Sequence, residues 1–201
     1  MMQVRNPDIT KQKILLAAEA EFASLGLHGA RINIIAEKSG VNKRMIYHYY
    51  CSKEGLYESV LEYNFKKIAN LGNDELFSGD DVEKGVREII SRYFSFLSEN
   101  PNYVKIKAWE EVSSSSYNKK TLIESLSPAF HQTYEFYRRG CELRIFKNNI
   151  NLIQLIISAH AMCFISFTQQ DILKSFMPDN TMANRLEHIC QVVLCTLKNE
   201  A

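Results

Sequence analysis

Apolar residues recur every three to four positions along most of the chain. That spacing places them on one face of an α-helix, whereas the alternation expected of a half-buried strand is scarce. The most regular stripe runs through Val82, Val86, Ile89, Tyr93 and Leu97. The pattern therefore predicts an all-α fold of about nine helices.

The helices are expected where this periodicity is bounded by capping residues and helix breakers. Asp8 is a candidate cap for the first helix, Ser52 for the fourth, and Asn148 or Asn149 for the eighth. Pro128 either begins the seventh helix or kinks it. The expected segments are 8–25, 32–39, 43–50, 53–71, 82–99, 102–112, 119–139, 150–168 and 182–198.

Residues 31–56 have the spacing of a helix-turn-helix, in which two short helices pack through a tight turn. Ala36 supplies a small residue where the helices meet, and Gly40 suits a left-handed turn four residues later. Asn42 is expected to cap the second helix. Both helices carry apolar residues at spacings that let them pack against a core: Ile32, Ile35, Val41, Ile46 and Tyr49. Such a second helix lies in the major groove of DNA, so the segment predicts a DNA-reading element.

The expected recognition helix presents basic and aromatic side chains. Lys43, Arg44 and Met45 are candidates for base contact, and Arg44 suits either a bidentate bond to guanine or a phosphate. Tyr47 and His48 lie one turn further on and are candidates for phosphate contact. For Tyr47 a partly buried scaffold role is equally open.

Charge and cysteine content narrow the class of protein. Residues 1–54 hold eight Lys/Arg against five Asp/Glu, a net charge of +3, whereas the remainder holds 16 against 18, or −2. A basic N-terminal end fits a surface that faces phosphate. The five cysteines form no C-x-x-C pair, which indicates reduced, mostly buried thiols in a cytoplasmic protein without zinc.

Residues 9–65 resemble the DNA-binding domain of the TetR family of bacterial transcriptional regulators. Gly26 and Gly29 match the loop that follows the first helix of that family. The positions that match the helix-turn-helix signature are Ile35-Ala36, Gly40-Val41, Ile46-Tyr47, Tyr49-Tyr50, Lys53 and Leu56. Beyond this domain the resemblance is looser and rests on the helical plan.

The resemblance implies a homodimeric repressor that binds a palindromic double-stranded DNA operator and is released by a small-molecule effector. It implies a DNA-binding domain at 1–54, joined through the helix at about 53–71 to a ligand-binding and dimerisation domain at 72–201. By position, Thr10, Lys11 and Lys53 become phosphate contacts, although Lys53 also suits a plain surface lysine. The full candidate DNA-binding set is Thr10, Lys11, Arg31, Asn33, Asn42, Lys43, Arg44, Met45, Tyr47, His48 and Lys53.

The chain departs from the family pattern at the positions nearest the bases. Arg31 and Ile32 stand where the family usually has Ser or Thr, and Asn42 replaces the usual Ser. Arg44-Met45 is bulkier than the pair common in the family, a small residue followed by Thr. We expect the base preference of this protein to lie with Arg31, Arg44 and Met45.

The C-terminal part is expected to dimerise and to hold the effector. The apolar tract at 150–167 predicts a helix buried on all sides rather than a membrane span. The last helix has a strong apolar face. The candidate dimerisation residues are Ile153, Ile157, Phe164, Leu186, Ile189, Val193 and Leu197. The candidate ligand-binding residues are Phe94, Trp109, Glu110, Tyr134 and His160. For each single aromatic residue, and for His160, an ordinary core position is favoured over a ligand contact.

Other functions are less favoured by the residues. No P-loop, Rossmann fingerprint, nucleophile elbow or H-E-x-x-H motif occurs, so we expect no enzyme activity and no cofactor or metal. We also expect no membrane partner. The alternative is a helical interaction or adaptor protein with a vestigial DNA-binding head.

Overall fold

The computed structural model describes residues 6–71, 81–113, 119–176 and 182–199. Within these ranges the protein has ten α-helices and no β-strand, so the all-α prediction is confirmed. The helices are α1 Pro7–Gly29, α2 Ile32–Ser39, α3 Lys43–Tyr50, α4 Lys53–Ala69, α5 Val82–Glu99, α6 Pro101–Ser113, α7 Lys119–Glu142, α8 Leu152–Thr168, α9 Gln170–Phe176 and α10 Met182–Leu197.

The helix missing from the predicted set of nine is α9, which is seven residues long. It follows α8 after a bend of 88°. Its two helical turns are too few for a periodic apolar stripe to stand out. No single helix in the described ranges is long and apolar enough to cross a membrane; α8 and α9 reach that criterion only when taken together across their bend.

Two helix caps differ from those predicted. Asn6, not Asp8, caps α1 by accepting the Asp8 N–H at 3.0 Å. Asn151, not Asn148 or Asn149, caps α8 by accepting the Gln154 N–H at 3.1 Å. In both places neighbouring residues have suitable side chains, and the first helical dihedral angles decide which one is the cap. Pro128 lies inside α7, so it does not begin that helix.

The chain forms two compact units. The head unit comprises Met1–Lys66 and Asn102–Leu122, and the body unit comprises Lys67–Pro101 and Ile123–Ala201. The helix α6 therefore belongs to the head unit, whereas α4 begins in the head unit and ends in the body unit. The functional division at residues 54 and 72 stays a prediction.

The head unit is built around side chains that are almost completely removed from solvent. The rings of Phe22 in α1 and Tyr57 in α4 meet edge to face with their centroids 4.9 Å apart. The residues of this core with at most 2% exposure are Ile14, Ala18, Phe22, Ile35, Ile46, Leu56, Tyr57, Val60, Leu61 and Ile106. Burying a large aliphatic or aromatic side chain stabilises a fold by about 1.5–3 kcal/mol, so this cluster fixes the positions of α1 to α4.

A kink in α1 receives the indole of α6. Gly26 has a φ of 65°, which glycine adopts without a steric penalty, and the helix bends there. Trp109 packs against Gly26, where an added Cβ would lie 3.1 Å from Trp109 Cδ2. The indole Nε1–H donates to the Ala23 carbonyl oxygen at 3.4 Å. Trp109 therefore fastens α6 to α1 within the head unit.

In the body unit, α5, α8 and α10 pack against one another. Two ion pairs link the first two turns of α5 to α10 and to the residue that follows α10: Arg87 Nη1 lies 2.6 Å from Glu187 Oε2, and Lys198 Nζ lies 2.6 Å from Glu83 Oε1. These pairs are partly exposed, so each contributes little to stability.

Two helical glycines bring phenylalanine rings close to the backbone of the body unit. An added Cβ on Gly85 of α5 would lie 2.4 Å from Phe136 Cζ, and one on Gly140 of α7 would lie 2.0 Å from Phe146 Cδ2. The two rings contact each other with centroids 6.4 Å apart. The apolar pattern predicts that this helix ends at residue 139, but α7 continues through Gly140 to Glu142.

Replacing Gly140 with alanine should lower the free energy of unfolding by about 1–3 kcal/mol, because the fully packed Phe146 ring must move. The better helix propensity of alanine, about 1 kcal/mol, offsets only part of this cost. Urea denaturation monitored by circular dichroism measures the change. Unchanged or increased stability would mean that the ring adjusts without cost.

Candidate nucleic-acid interface and ligand cavity

The turn between α2 and α3 has the predicted geometry. Gly40 adopts φ 66° and ψ 22°, and its N–H bonds the carbonyl oxygens of Ala36 and Glu37. Asn42 Oδ1 accepts the Arg44 N–H at 2.9 Å, so Asn42 caps α3 as predicted. Ile35 and Ile46 are completely buried and hold α2 and α3 to the head core. The turn and the core together determine which face of α3 points outward.

That outward face carries four of the predicted contact residues. Lys43, Arg44, Tyr47 and His48 are exposed, and 40% of the Tyr47 surface is accessible. Lys43 Nζ lies 5.9 Å from the centre of the Tyr47 ring, within range of a cation–π contact. Met45, in contrast, is half-buried. The exposure of Tyr47 favours a contact role over the scaffold role that its sequence position left open.

The start of α1 is tied to the end of α3. Tyr50 Oη donates to the Lys11 carbonyl oxygen at 3.1 Å, and Lys11 Nζ lies 5.6 Å from the Tyr49 ring centre. Burial raises the pKa of Tyr50 to about 12, so the hydroxyl stays protonated as a donor. The Thr10 hydroxyl donates to the Asn6 carbonyl oxygen at 3.1 Å. These contacts place Lys11 beside the end of α3, whereas the Thr10 bond lies within the start of α1.

The remaining predicted contacts lie on the loops around this face. Lys53 Nζ lies 3.4 Å from the carbonyl oxygens of both His28 and Ala30, so the side chain braces the connection between α1 and α2. The sequence does not reveal this role, because it depends on the end of α1 lying beside the start of α4. Arg31 and Asn33 are exposed at the start of α2, where no side chain caps the helix.

Replacing Asn42 with alanine should lower the free energy of unfolding by about 0.5–2 kcal/mol and weaken DNA binding, because α3 loses its side-chain cap. The affinity for all DNA sequences should fall together. Asn42→Ser is the matched control, because serine also caps helices. Thermal unfolding and binding to a panel of duplexes with single base changes measure both effects. A loss of preference at one base pair would instead place Asn42 against a base.

The body unit contains a cavity of about 270 Å³. Its walls come from α5, α7, α8 and α10, from Ile68 near the end of α4, and from Leu71 and Phe146, which lie outside the helices. Phe136 and Phe146, the two rings held against glycines, form part of the wall. The volume is close to the lower end of the range for small-molecule sites, about 300–1,000 Å³.

Of the five predicted ligand-binding residues, His160 alone is among the described residues that line this cavity. Phe94 is buried against Phe167 with ring centroids 4.8 Å apart, and Tyr134 is 55% exposed. Trp109 and Glu110 belong to the head unit, where Glu110 Oε1 accepts the Tyr57 hydroxyl at 2.6 Å. The sequence shows that these side chains are aromatic and acidic, and in the structure they attach α6 to α1 and α4 within the head unit.

His160 lies between two aromatic rings. Its imidazole stacks on Tyr93 with centroids 5.4 Å apart and on Phe164 with centroids 5.8 Å apart. Tyr93 also lines the cavity. The polar or aromatic lining residues that were not among the predicted ligand contacts are Tyr93, Gln132, Thr133, Phe136, Tyr137 and Cys163. They lie on the faces of α5, α7 and α8 that line the cavity, and periodicity alone does not distinguish these faces from other apolar faces.

The predicted dimerisation residues divide into two groups. Phe164, Ile189, Val193 and Leu197 are at most 7% exposed within their own protomer, and Leu186 is half-buried. Ile153 and Ile157 are 63% and 54% exposed. The prediction that the helix at 150–167 is buried on all sides is therefore wrong for the protomer. Periodicity failed here because α8 is apolar on both its inner and its outer face.

The described residues contain no group of three His, Cys, Asp or Glu side chains able to hold a metal ion. All five cysteines are unbridged. Cys163 and Cys190 are buried, whereas Cys51 and Cys195 are exposed, so fewer thiols are buried than the sequence indicated.

Comparison with known proteins gives matches over both parts of the chain. A family model described as "Bacterial regulatory proteins, tetR family" matches residues 14–60, and one described as "Tetracyclin repressor-like, C-terminal domain" matches residues 83–193. The chain is 38% identical over 109 residues to the HTH-type transcriptional repressor SCO4008 of Streptomyces coelicolor, covering 54% of this chain and 53% of that protein. The match thus spans about half the length of that relative.

Two further kinds of match extend over nearly the whole chain. It is 26% identical over 178 residues to the HTH-type transcriptional repressor NicS of Pseudomonas putida, covering 88% of this chain and 84% of the relative. The transcriptional regulator FadR from Bacillus subtilis, solved in complex with stearoyl-CoA, aligns with a TM-score of 0.75 at 16% identity over 92% of this chain and 98% of its own. The regulator SCO4942 from Streptomyces coelicolor aligns with a TM-score of 0.71 at 19% identity over 94% and 98%. At these identities the structural likeness establishes the fold alone.

Proposed function

Because the chain belongs to the TetR family of DNA-binding transcriptional regulators, we propose that it is a repressor that binds a palindromic operator as a homodimer and is released by a small molecule. The exposed face of α3, with Lys43, Arg44, Tyr47 and His48, carries this proposal. A capped helix of this kind fits the major groove with its N-terminal residues at base edges. The names of the relatives SCO4008 and NicS support repression.

Roles within the interface follow from what each side chain already contacts. Arg44 is exposed in the first turn of α3 and presents a planar fork suited to guanine O6 and N7. Lys43, Tyr47 and His48 provide donors for phosphate oxygens. Lys53 supports the fold around the α4 N-terminus and adds positive charge there. We assign base preference to Arg44 and docking to the others.

The homodimer interface is proposed on the outer faces of α8 and α10. Ile153, Ile157 and Ile165 recur at multiples of four residues along α8 and are 63%, 54% and 37% exposed. The helix α8 contains no Asp, Glu, Lys or Arg. On α10, which packs beside it, Met182 and Val192 are also exposed. A second copy covering this face forms a symmetric four-helix interface and removes the apolar stripe from water.

The proposed route of ligand control runs along α4. This helix starts next to the end of α3, and Ile68 near its other end and Leu71 just beyond it line the cavity. In this proposal an effector that displaces these two side chains shifts the end of α4, and the shift reaches the head unit through α4, which has residues in both units. Release from DNA requires only that the two heads of the dimer no longer match two successive major grooves.

Selection of bound duplexes from a random pool by the purified protein tests the proposal. We expect an enriched palindrome with two half-sites, bound as a dimer, with affinity that falls steeply as salt concentration rises. The adaptor alternative predicts weak binding without an enriched sequence. If the selection enriches no sequence, either with or without metabolites from a cell extract, the repressor proposal is excluded.

A further inference from the structure

The walls of the body-unit cavity are uniformly uncharged over the part of the chain that the structure describes. Of the 22 described residues that line it, none is Asp, Glu, Lys or Arg. Sixteen are aliphatic side chains or phenylalanine, and the polar remainder consists of Tyr93, Gln132, Thr133, Tyr137, His160 and Cys163. A site that recognises a carboxylate or phosphate usually provides an arginine, a lysine or a cluster of backbone donors.

Two of the polar side chains have their hydrogens committed to the protein. The Thr133 hydroxyl donates to the Ala129 carbonyl oxygen at 2.8 Å, and the Tyr137 hydroxyl donates to the Lys147 carbonyl oxygen at 2.6 Å. Neither proton is directed to a ligand. The cavity thus presents fewer hydrogen-bond donors than its residue content suggests.

Arginines near the wall are also engaged elsewhere. Arg92 Nη2 lies 2.7 Å from Glu88 Oε1, and its Nη1 donates to the Leu71 carbonyl oxygen at 3.1 Å. Arg185 donates from Nε to Ser166 Oγ at 3.2 Å and from Nη2 to the Met162 carbonyl oxygen at 3.5 Å. Neither is among the lining residues. An anion in the cavity would have to take these cations away from existing partners.

The wall itself disfavours negative charge. Burial raises the pKa of the Cys163 thiol to about 12, although Arg185 acts in the opposite direction. The environment that keeps this thiol protonated imposes the same desolvation cost on a ligand carboxylate placed beside it.

We propose that the effector is an uncharged, predominantly apolar molecule held in the cavity bounded by Ile68, Leu71, Tyr93, Phe136, Phe146 and His160. The proposal rests on the repressor function proposed above. An empty apolar cavity of about 150 Å³ takes up benzene, so 270 Å³ suits a ligand of about two rings or an aliphatic molecule of similar bulk. Its binding is driven by removal of apolar surface from water, and specificity comes from shape.

Calorimetric titration of the full-length protein with three matched probes tests the ligand class: 2-naphthol, 2-naphthoate and 2-naphthylmethylammonium at neutral pH. The three share one ring system and differ in charge. We expect 2-naphthol to bind at least about tenfold more tightly than either ion, because burying an unpaired charge costs several kcal/mol. Equal affinities for all three, or tighter binding of an ion, would overturn the proposal.

Two substitutions that fill the cavity locate the binding. Ala159→Phe on α8 and Ala129→Phe on α7 place a ring inside the lining from opposite elements, so one serves if the other fails to fold. Each should weaken 2-naphthol binding at least about tenfold. Ala20→Phe, at an exposed position on α1, is the control and should leave binding unchanged. Binding of 2-naphthol that survives both filling substitutions in folded protein, or no binding to the wild type, would overturn the proposal.

Operator binding is measured in a separate experiment, so that a wrong ligand class can be distinguished from a wrong repressor function. If 2-naphthol binds through the cavity but leaves the protein on its selected DNA, the ligand class stands and the release step of the proposed function is wrong. If the protein selects no DNA, the calorimetry still decides the ligand class.

Discussion

Replacing Ile157 with glutamate should split the dimer and weaken operator binding about 100-fold or more. Ile157 is 54% exposed in the protomer and lies in the middle of the apolar stripe of α8. In the proposed interface a carboxylate there would be buried without a partner, at a cost of several kcal/mol. Joining two binding modules raises affinity by about 10²–10⁴ over a single module, so a monomer loses that factor.

Sedimentation velocity and operator titration measure the two parts of this prediction. Leu143→Glu is the matched control, because Leu143 is 50% exposed in the same unit but lies between α7 and α8, outside the helix that carries the stripe. It should remain dimeric and bind DNA normally. A dimer of unchanged dissociation constant in Ile157→Glu would place the interface on another face of the body unit.

Replacing Arg44 with alanine should relax base preference at one position in each half-site. A bidentate arginine–guanine contact is worth about 1–3 kcal/mol, or roughly 5- to 150-fold in affinity per half-site. Loss from both half-sites of a palindrome multiplies the effect on the dimer. Repeating the selection from random duplexes with the variant measures the change directly.

Two further variants separate base reading from phosphate contact. Arg44→Lys keeps the charge but lacks the planar fork, so it should lose base preference while retaining non-specific affinity. Lys53→Ala should weaken all sequences alike and reduce the salt dependence. It should also destabilise the fold slightly, since Lys53 Nζ lies near the carbonyl oxygens of His28 and Ala30. Equal effects of Arg44→Ala on specific and non-specific DNA would make Arg44 a phosphate contact only.

The helix-turn-helix could be predicted because its requirements are local. The left-handed backbone at Gly40 and the cap at Asn42 are interactions between residues close in sequence, and both are present as expected. The buried positions of Ile35 and Ile46 follow from helical periodicity. Lys53 was harder to interpret, because its carbonyl neighbours lie 23 and 25 residues earlier in the chain.

The cavity could not be predicted residue by residue, because its wall is assembled from separate helices. Trp109 and Glu110 were reasonable ligand candidates by chemistry, yet they contact Ala23 and Tyr57 in the head unit. The residues around Trp109 in the sequence do not show whether its indole contacts a ligand or the bent end of α1. The choice depends on where α6 packs.

The sequence by itself determined the helical class, the DNA-reading turn and the family, because periodicity, caps and a left-handed glycine are properties of short segments. Only the tertiary structure decided which apolar face of α8 is core and which is open, since both faces have the same composition. It likewise decided that Ile189 and Val193 are buried in the protomer while Ile153 and Ile157 are exposed. Burial is a property of packed neighbours, and a helix with two apolar faces contains no local signal for which one the rest of the chain will cover.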